Sequence, residues 1–186
     1  MRARNIFKLY QDALIKRPYL VQAMQAGTLM GAGDMISQHF IEKQSLDFKR
    51  TLKFSSIGFF IGGPALRVWY GVLNKYVGSS GKSVTLKKVI LDQTVFAPTF
   101  LCSLLIIIAA MQGKGPETIK KDLKANYLDV LATNYYIWPW VQLLNFYYTP
   151  LQYQVLVVQT VALFWNTYLA WKTNVKKADI KEISLS

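Results

Sequence analysis

The chain is 186 residues long, 52% hydrophobic and only 17% charged, yet it carries a formal net charge of +12. That much apolar and aromatic material excludes an intrinsically disordered chain. A single cysteine, Cys102, and a single histidine, His39, exclude a disulfide framework and paired-thiolate zinc sites, and leave little for His-based catalysis.

In chain order, residues 1–17 carry five basic residues and one acidic, with Phe7, Tyr10 and Leu14 on one helical face. This predicts an amphipathic helix at the membrane interface; a mitochondrial presequence is the alternative. Residues 18–41 are broken only by Asp34, with His39 neutral, and residues 54–74 only by Arg67. Residues 93–113 contain no charged residue, and neither do residues 130–171. A helix needs about 20 apolar residues to cross the hydrocarbon core. The last stretch is long enough for two crossings, with Pro150 as a natural break. Between these stretches, residues 116–130 place Ile119, Leu123, Tyr127 and Val130 on one face, as an interfacial helix would. Trp and Tyr clusters (Tyr135 to Trp140, Tyr147 to Tyr153, Trp165 to Trp171) sit where the ends of crossings would meet the headgroups.

The expected fold class is therefore an all-α integral membrane protein in one membrane domain, residues 1–186. Four or five transmembrane helices are expected, near 18–41, 52–76, 90–112, and 131–149, 151–172 or both, together with the N-terminal amphipathic helix and the interfacial helix near 116–130. The expected partner is the lipid bilayer, with anionic lipids drawn to the basic loops. Self-association into a homo-oligomer is open, and direct nucleic-acid binding is not expected.

Within the apolar stretches, small and polar residues recur at helical spacing. Gly27, Gly31, Asp34 and Gln38 share one face, as do Gly63, Arg67, Tyr70 and Asn74. Lys88, Asp92, Thr99 and Ser103 form a third face, next to Gln93 and Pro98. Gln142 and Asn145 lie in the uncharged stretch, and Gln152, Gln159 and Asn166 recur every seven residues. The glycines, including Gly58 and Gly62, suit close helix packing, and Pro64, Pro98, Pro139 and Pro150 suit hinges.

Asp34, Arg67 and Asp92 are different, because an ionised group in hydrocarbon costs at least about 2.5–3.5 kcal/mol and needs a partner or a wet cavity. Asp34 or Asp92 pairing with Arg67 is one arrangement, a hydrated ion path another, and Asp92 neutralised at the interface by Lys88 a third. No catalytic constellation, cofactor motif or metal-ligand spacing is present, so no enzyme is expected, and Cys102 reads as an inert buried thiol.

Several segments form a specific set: Tyr10-x3-Leu14-x3-Pro18, Gly33-Asp34-x3-Gln38, Gly63-Pro64-x4-Trp69-Tyr70 and Asp92-Gln93-x4-Pro98. They continue as Trp138-Pro139-x2-Gln142-x2-Asn145-Phe146-x3-Pro150 and Trp165-Asn166-x-Tyr168-Leu169. Over residues 10–172 the chain resembles the Mpv-seventeen / peroxisomal-membrane-protein family of small integral membrane proteins. It departs from the family pattern at Phe7, Arg67, Gln154 and Ala170, where Trp, His, Arg and Ser are common. The resemblance implies the mitochondrial inner membrane, with the peroxisomal membrane as the alternative. It also implies a channel-like role tied to membrane potential, oxidative stress, nucleotide pools and mitochondrial DNA maintenance; a non-conducting membrane scaffold or assembly factor is the alternative. Arg67 would then set a fixed positive charge on any path it lined.

Overall fold

A computed structural model describes residues 2–183, with side chains over residues 8–172. The described residues are helices joined by short turns, with no strand among them. In order these are α1 (Arg2–Lys16), α2 (Pro18–Ile36), α3 (Phe48–Ile57), α4 (Gly63–Tyr76), α5 (Lys82–Leu91), α6 (Ala97–Met111), α7 (Pro116–Tyr148) and α8 (Leu151–Ile183). The Phe7 side chain falls outside the described residues, whereas Leu14 is buried and the Tyr10 hydroxyl accepts a hydrogen bond from Gln25 of α2 at 3.0 Å.

Three wide π-helical turns, Ser37–Ile41, Gly58–Gly62 and Asp92–Phe96, follow α2, α3 and α5. The last two fuse α3 to α4 and α5 to α6 into rods of 29 and 30 residues. Each is followed by a proline near the start of the next helix, Pro64 and Pro98. A proline has no N–H to give and its ring crowds the carbonyl four residues back, so widening the preceding turn relieves the clash. These two rods, Phe48–Tyr76 and Lys82–Met111, are long and apolar enough to cross a membrane. Only 33% and 28% of their most apolar windows are buried, where a soluble core helix would be mostly buried. Phe60, Val68, Ile90 and Val95 point outward, a surface suited to hydrocarbon rather than water.

The sequence-based boundaries shift in several places. The rods begin at Phe48 and Lys82, inside segments that read as loops: Asp47 caps the first, its Oδ1 accepting the Arg50 amide at 3.0 Å. Gly78 and Gly81, both at positive φ, make the turn before the second. The interfacial helix expected near 116–130 and the crossing expected near 131–149 are one continuous helix, α7. Its amphipathic stripe packs inward: Leu123 and Tyr127 lie against the core, and the Tyr127 hydroxyl donates to the Pro98 carbonyl at 3.1 Å. At 1.5 Å per residue α7 is about 50 Å long, and Pro139 lies inside it.

Backbone contact organises the centre. A Cβ on Gly58 would lie 2.4 Å from the Ala26 carbonyl oxygen, and one on Gly63 would lie 2.6 Å from Ala23 Cα. Gly62 has nothing closer than 3.9 Å. The Gly58-x3-Gly62 spacing predicts the wrong pair, because a π turn repeats after five residues and stacks Gly58 on Gly63. Across α2, Gly27 and Gly31 face Ser55, and Gly33 faces Asn166 and Thr167 of α8.

Candidate functional site

Helices α2, α4, α6, α7 and α8, with two of the π turns, line a partly open cavity of about 100 Å³. Its polar lining comes from the second of these π turns, α7 and α8: Asp92, Gln93, Asn134, Gln142, Gln159 and Asn166. The rest is largely apolar and aromatic, with Met30, Phe96, Phe100, Trp138 and Trp165. Local sequence explains the polar lining. The π turn brings the adjacent residues Asp92 and Gln93 inward together. On α7, Asn134, Trp138, Gln142 and Asn145 follow at four, four and three residues and share the buried face.

Asp92 is 2% exposed and bound by neutral donors only. The Trp69 indole donates to Oδ1 at 2.7 Å; the Gln93 and Gln142 amides donate to Oδ2 at 2.7 and 3.0 Å. Gln142 Nε2 also donates to the Tyr70 hydroxyl at 2.8 Å, and Asn134 to Gln93 Oε1 at 3.4 Å. The ladder continues from Asn145 Nδ2 to Gln142 Oε1 and to the Gln154 carbonyl, both 3.2 Å. Among the described residues no cation lies within 4.0 Å of Asp92. Lys88, one turn earlier and 1% exposed, sits over the Phe146 ring at 5.8 Å and pairs with no described carboxylate.

Asp34 belongs to a separate cluster at the far end of α2. It is fully buried; Arg50 Nε meets its Oδ1 at 2.7 Å, while Gln38 and Thr51 donate to Oδ2 at 2.6 and 2.8 Å. The Arg50 fork reaches both oxygens of Glu42 at 2.7 Å, and Ser37 also donates to Glu42. Arg67 meets neither aspartate: its guanidinium lies over the Tyr19 ring at 5.8 Å and lines no part of the cavity. The stripe of Lys88, Asp92, Thr99 and Ser103 is also broken, since Thr99 and Ser103 are exposed. The extra residue in the intervening π turn rotates everything after it by about 100°.

On α8, Gln159 and Asn166 line the cavity, but Gln152 is exposed in the first turn, before its neighbours begin to cover the helix. Sequence reading passed over Trp69, Tyr70 and Asn134 as ligands of the site, and Arg50 as the partner of Asp34. Asn134 was detectable as an amide in an uncharged stretch, eight residues before Gln142. Arg50 was hidden because it lies between the apolar stretches 18–41 and 54–74.

Glu42 gives this second cluster a pH signature. Burial pushes its carboxyl up, but hydrogen bonds from Arg50 and Ser37 and the Arg50 charge outweigh burial and hold it below its ordinary value of 4.5. The unfolded chain then binds the proton more readily, so stability is fully present above about pH 4.5 and falls as pH drops through the lower folded value. Thermal unfolding in detergent between pH 6 and 3 should show that decline, and Glu42→Gln should flatten it.

Comparison with known proteins places this architecture. The family model described as the Mpv17 / PMP22 family matches residues 109–170. The mitochondrial inner membrane protein Mpv17 of Xenopus laevis is 46% identical over 173 residues, covering 91% of this chain and 98% of that protein. The Homo sapiens protein of the same name is 44% identical with the same coverage, and that of Drosophila melanogaster is 37% identical over 85% of this chain and 97% of its own length. No solved structure matches. The chain belongs to the Mpv17 / PMP22 family and is a protein of the mitochondrial inner membrane.

Proposed function

We propose that the chain is channel-like, a weakly selective pore for ions or small metabolites, with the central cavity on its path and Asp92 as the charge that attracts the permeating species. One observation carries this reading: a carboxylate buried among helices and facing a cavity has only neutral donors and no cationic partner among the described residues. A charge left uncompensated in low dielectric costs several kcal/mol, and a hydrated or ligand-filled path offsets that cost. The same reading takes the chain as four or five crossings, with α2, α7 and α8 joining the two apolar rods, and as a transporter rather than an enzyme. Its physiological sense is control of membrane potential and redox balance, with consequences for nucleotide pools and mitochondrial DNA maintenance.

A second reading, a non-conducting scaffold, is favoured by the closed Asp34–Arg50–Glu42 cluster and by the backbone contacts at Gly58 and Gly63, which serve packing alone. Current from purified protein in a planar bilayer separates the two. The pore reading expects discrete openings, with Asp92→Asn lowering cation preference several-fold while the helix content is unchanged. Silence from folded protein across voltage, pH and redox conditions would sink the pore and leave the scaffold.

A further inference from the structure

We propose that the central cavity takes a small organic ammonium ion, its nitrogen on Asp92 and its alkyl groups against the aromatic wall. The inference rests on the reading of this cavity as part of the permeation path, and names the chemistry that fits it. Charge comes first: Asp92 has no cationic partner among the described residues, and the ammonium of Lys88 is turned to Phe146. The ligand set then discriminates between cations. A bare inorganic cation must replace its water shell with a ring of oxygens. Here the amides turn their N–H groups toward Asp92, and the oxygens of Gln93 and Gln142 already accept from Asn134 and Asn145.

Beyond Tyr70, Gln159 and Asn166, what remains of the lining is carbon, much of it the aromatic carbon of Phe96, Phe100, Trp138 and Trp165. An alkylammonium is weakly hydrated and spreads its charge over C–H groups, and aromatic faces attract it. Size agrees: a cavity of about 150 Å³ holds the six carbons of benzene, so about 100 Å³ suits the four heavy atoms of trimethylammonium. Gln159 also lines the cavity, 3% exposed, and its Nε2 has no acceptor among the described residues. It is placed to donate to a ligand oxygen or to a water carried in with the ligand.

The test uses the full chain in lipid nanodiscs, titrated with trimethylammonium chloride against potassium chloride at equal ionic strength. Calorimetry and intrinsic tryptophan fluorescence report binding. Saturation with a dissociation constant of about 1 mM is expected, since four heavy atoms set a floor of tens of micromolar. Potassium should not compete, and tetraethylammonium, too large for the cavity, should not bind. Asp92→Asn should weaken binding at least tenfold, while Asp129→Asn, at an exposed carboxylate on α7, should leave it unchanged. The wild-type size series keeps the test valid if the Asp92 variant does not fold.

Absence of saturation in folded wild-type protein, displacement by potassium, or binding untouched by Asp92→Asn would each overturn the inference. Bilayer currents separate it from the pore reading. Potassium current without trimethylammonium binding leaves the pore and removes the ammonium site. Saturable, Asp92-dependent binding without current keeps the site and removes the pore.

Discussion

Replacing Arg50 by glutamine should destabilise the protein by about 3–5 kcal/mol, the cost of breaking a buried ion pair from one side. The guanidinium is the common partner of two carboxylates, with side chains 16% exposed for Arg50, 0% for Asp34 and 6% for Glu42. Without it, two negative groups face each other at the end of α2 with only Gln38, Thr51 and Ser37 as donors. For a chain of this size the loss corresponds to a fall of about 6–20 °C in Tm, read by circular dichroism in detergent. Arg50→Lys should not restore it, because one ammonium cannot reproduce the fork on Glu42 and the Nε contact to Asp34 together. Removing the carboxylates as well (Arg50→Gln with Asp34→Asn and Glu42→Gln) should recover part of the loss. A single variant within about 1 kcal/mol of wild type would show that the cluster is solvated and contributes little.

Two glycines on either side of a proline should respond oppositely to one added methyl group. Gly63→Ala puts a Cβ within 3.0 Å of three backbone atoms of α2: Ala23 Cα at 2.6 Å, the Gln22 carbonyl oxygen at 2.7 Å and Ala23 N at 2.9 Å. Backbone cannot rotate aside as a side chain can, so the helices must separate, at a cost of about 1–3 kcal/mol or more. Gly71→Ala, two turns later on α4, meets nothing within 4 Å and should gain up to about 1 kcal/mol from helix propensity. Thermal unfolding of the two variants beside wild type gives the comparison. Equal behaviour would mean that α2 does not touch α4 in the membrane.

Much of the fold was legible because hydrophobic length and charge gaps read directly as helices, and α2 keeps its predicted face: Gly27, Gly31, Asp34 and Gln38 are all buried. The π turns were not legible. A pattern search assumes 3.6 residues per turn, so it carried the Lys88–Asp92 stripe on to Thr99 and Ser103 and paired Gly58 with Gly62. Pro64 and Pro98 were visible as prolines, but they were read as hinges rather than as the cause of a widened turn that ends two residues earlier. In the candidate site, Asp92, Gln93, Gln142, Gln159 and Asn166 announced themselves as polar groups in apolar surroundings. Trp69 did not, because an indole in a membrane segment reads as an interfacial anchor, and only the fold turns its N–H onto a carboxylate. The charge partners failed in the opposite way. Arg67 looked like the natural mate for an intramembrane aspartate, whereas Asp34 took Arg50 from the segment between the apolar stretches 18–41 and 54–74.

The seating of Gly33 against Asn166, Thr167 and the Leu163 carbonyl has a consequence for biogenesis. Helix α2 packs extensively against α8, which is synthesised after it and after every helix between them. Until α8 arrives, the Gly33 side of α2 stays open, and the cavity lacks the wall that carries Gln159 and Trp165. Closure joins segments more than 100 residues apart, so it comes late and leaves a window in which a partly inserted chain offers its groove to other helices. A ribosome-stalled or truncated chain ending before α8 should therefore be the form that insertases and proteases bind longest.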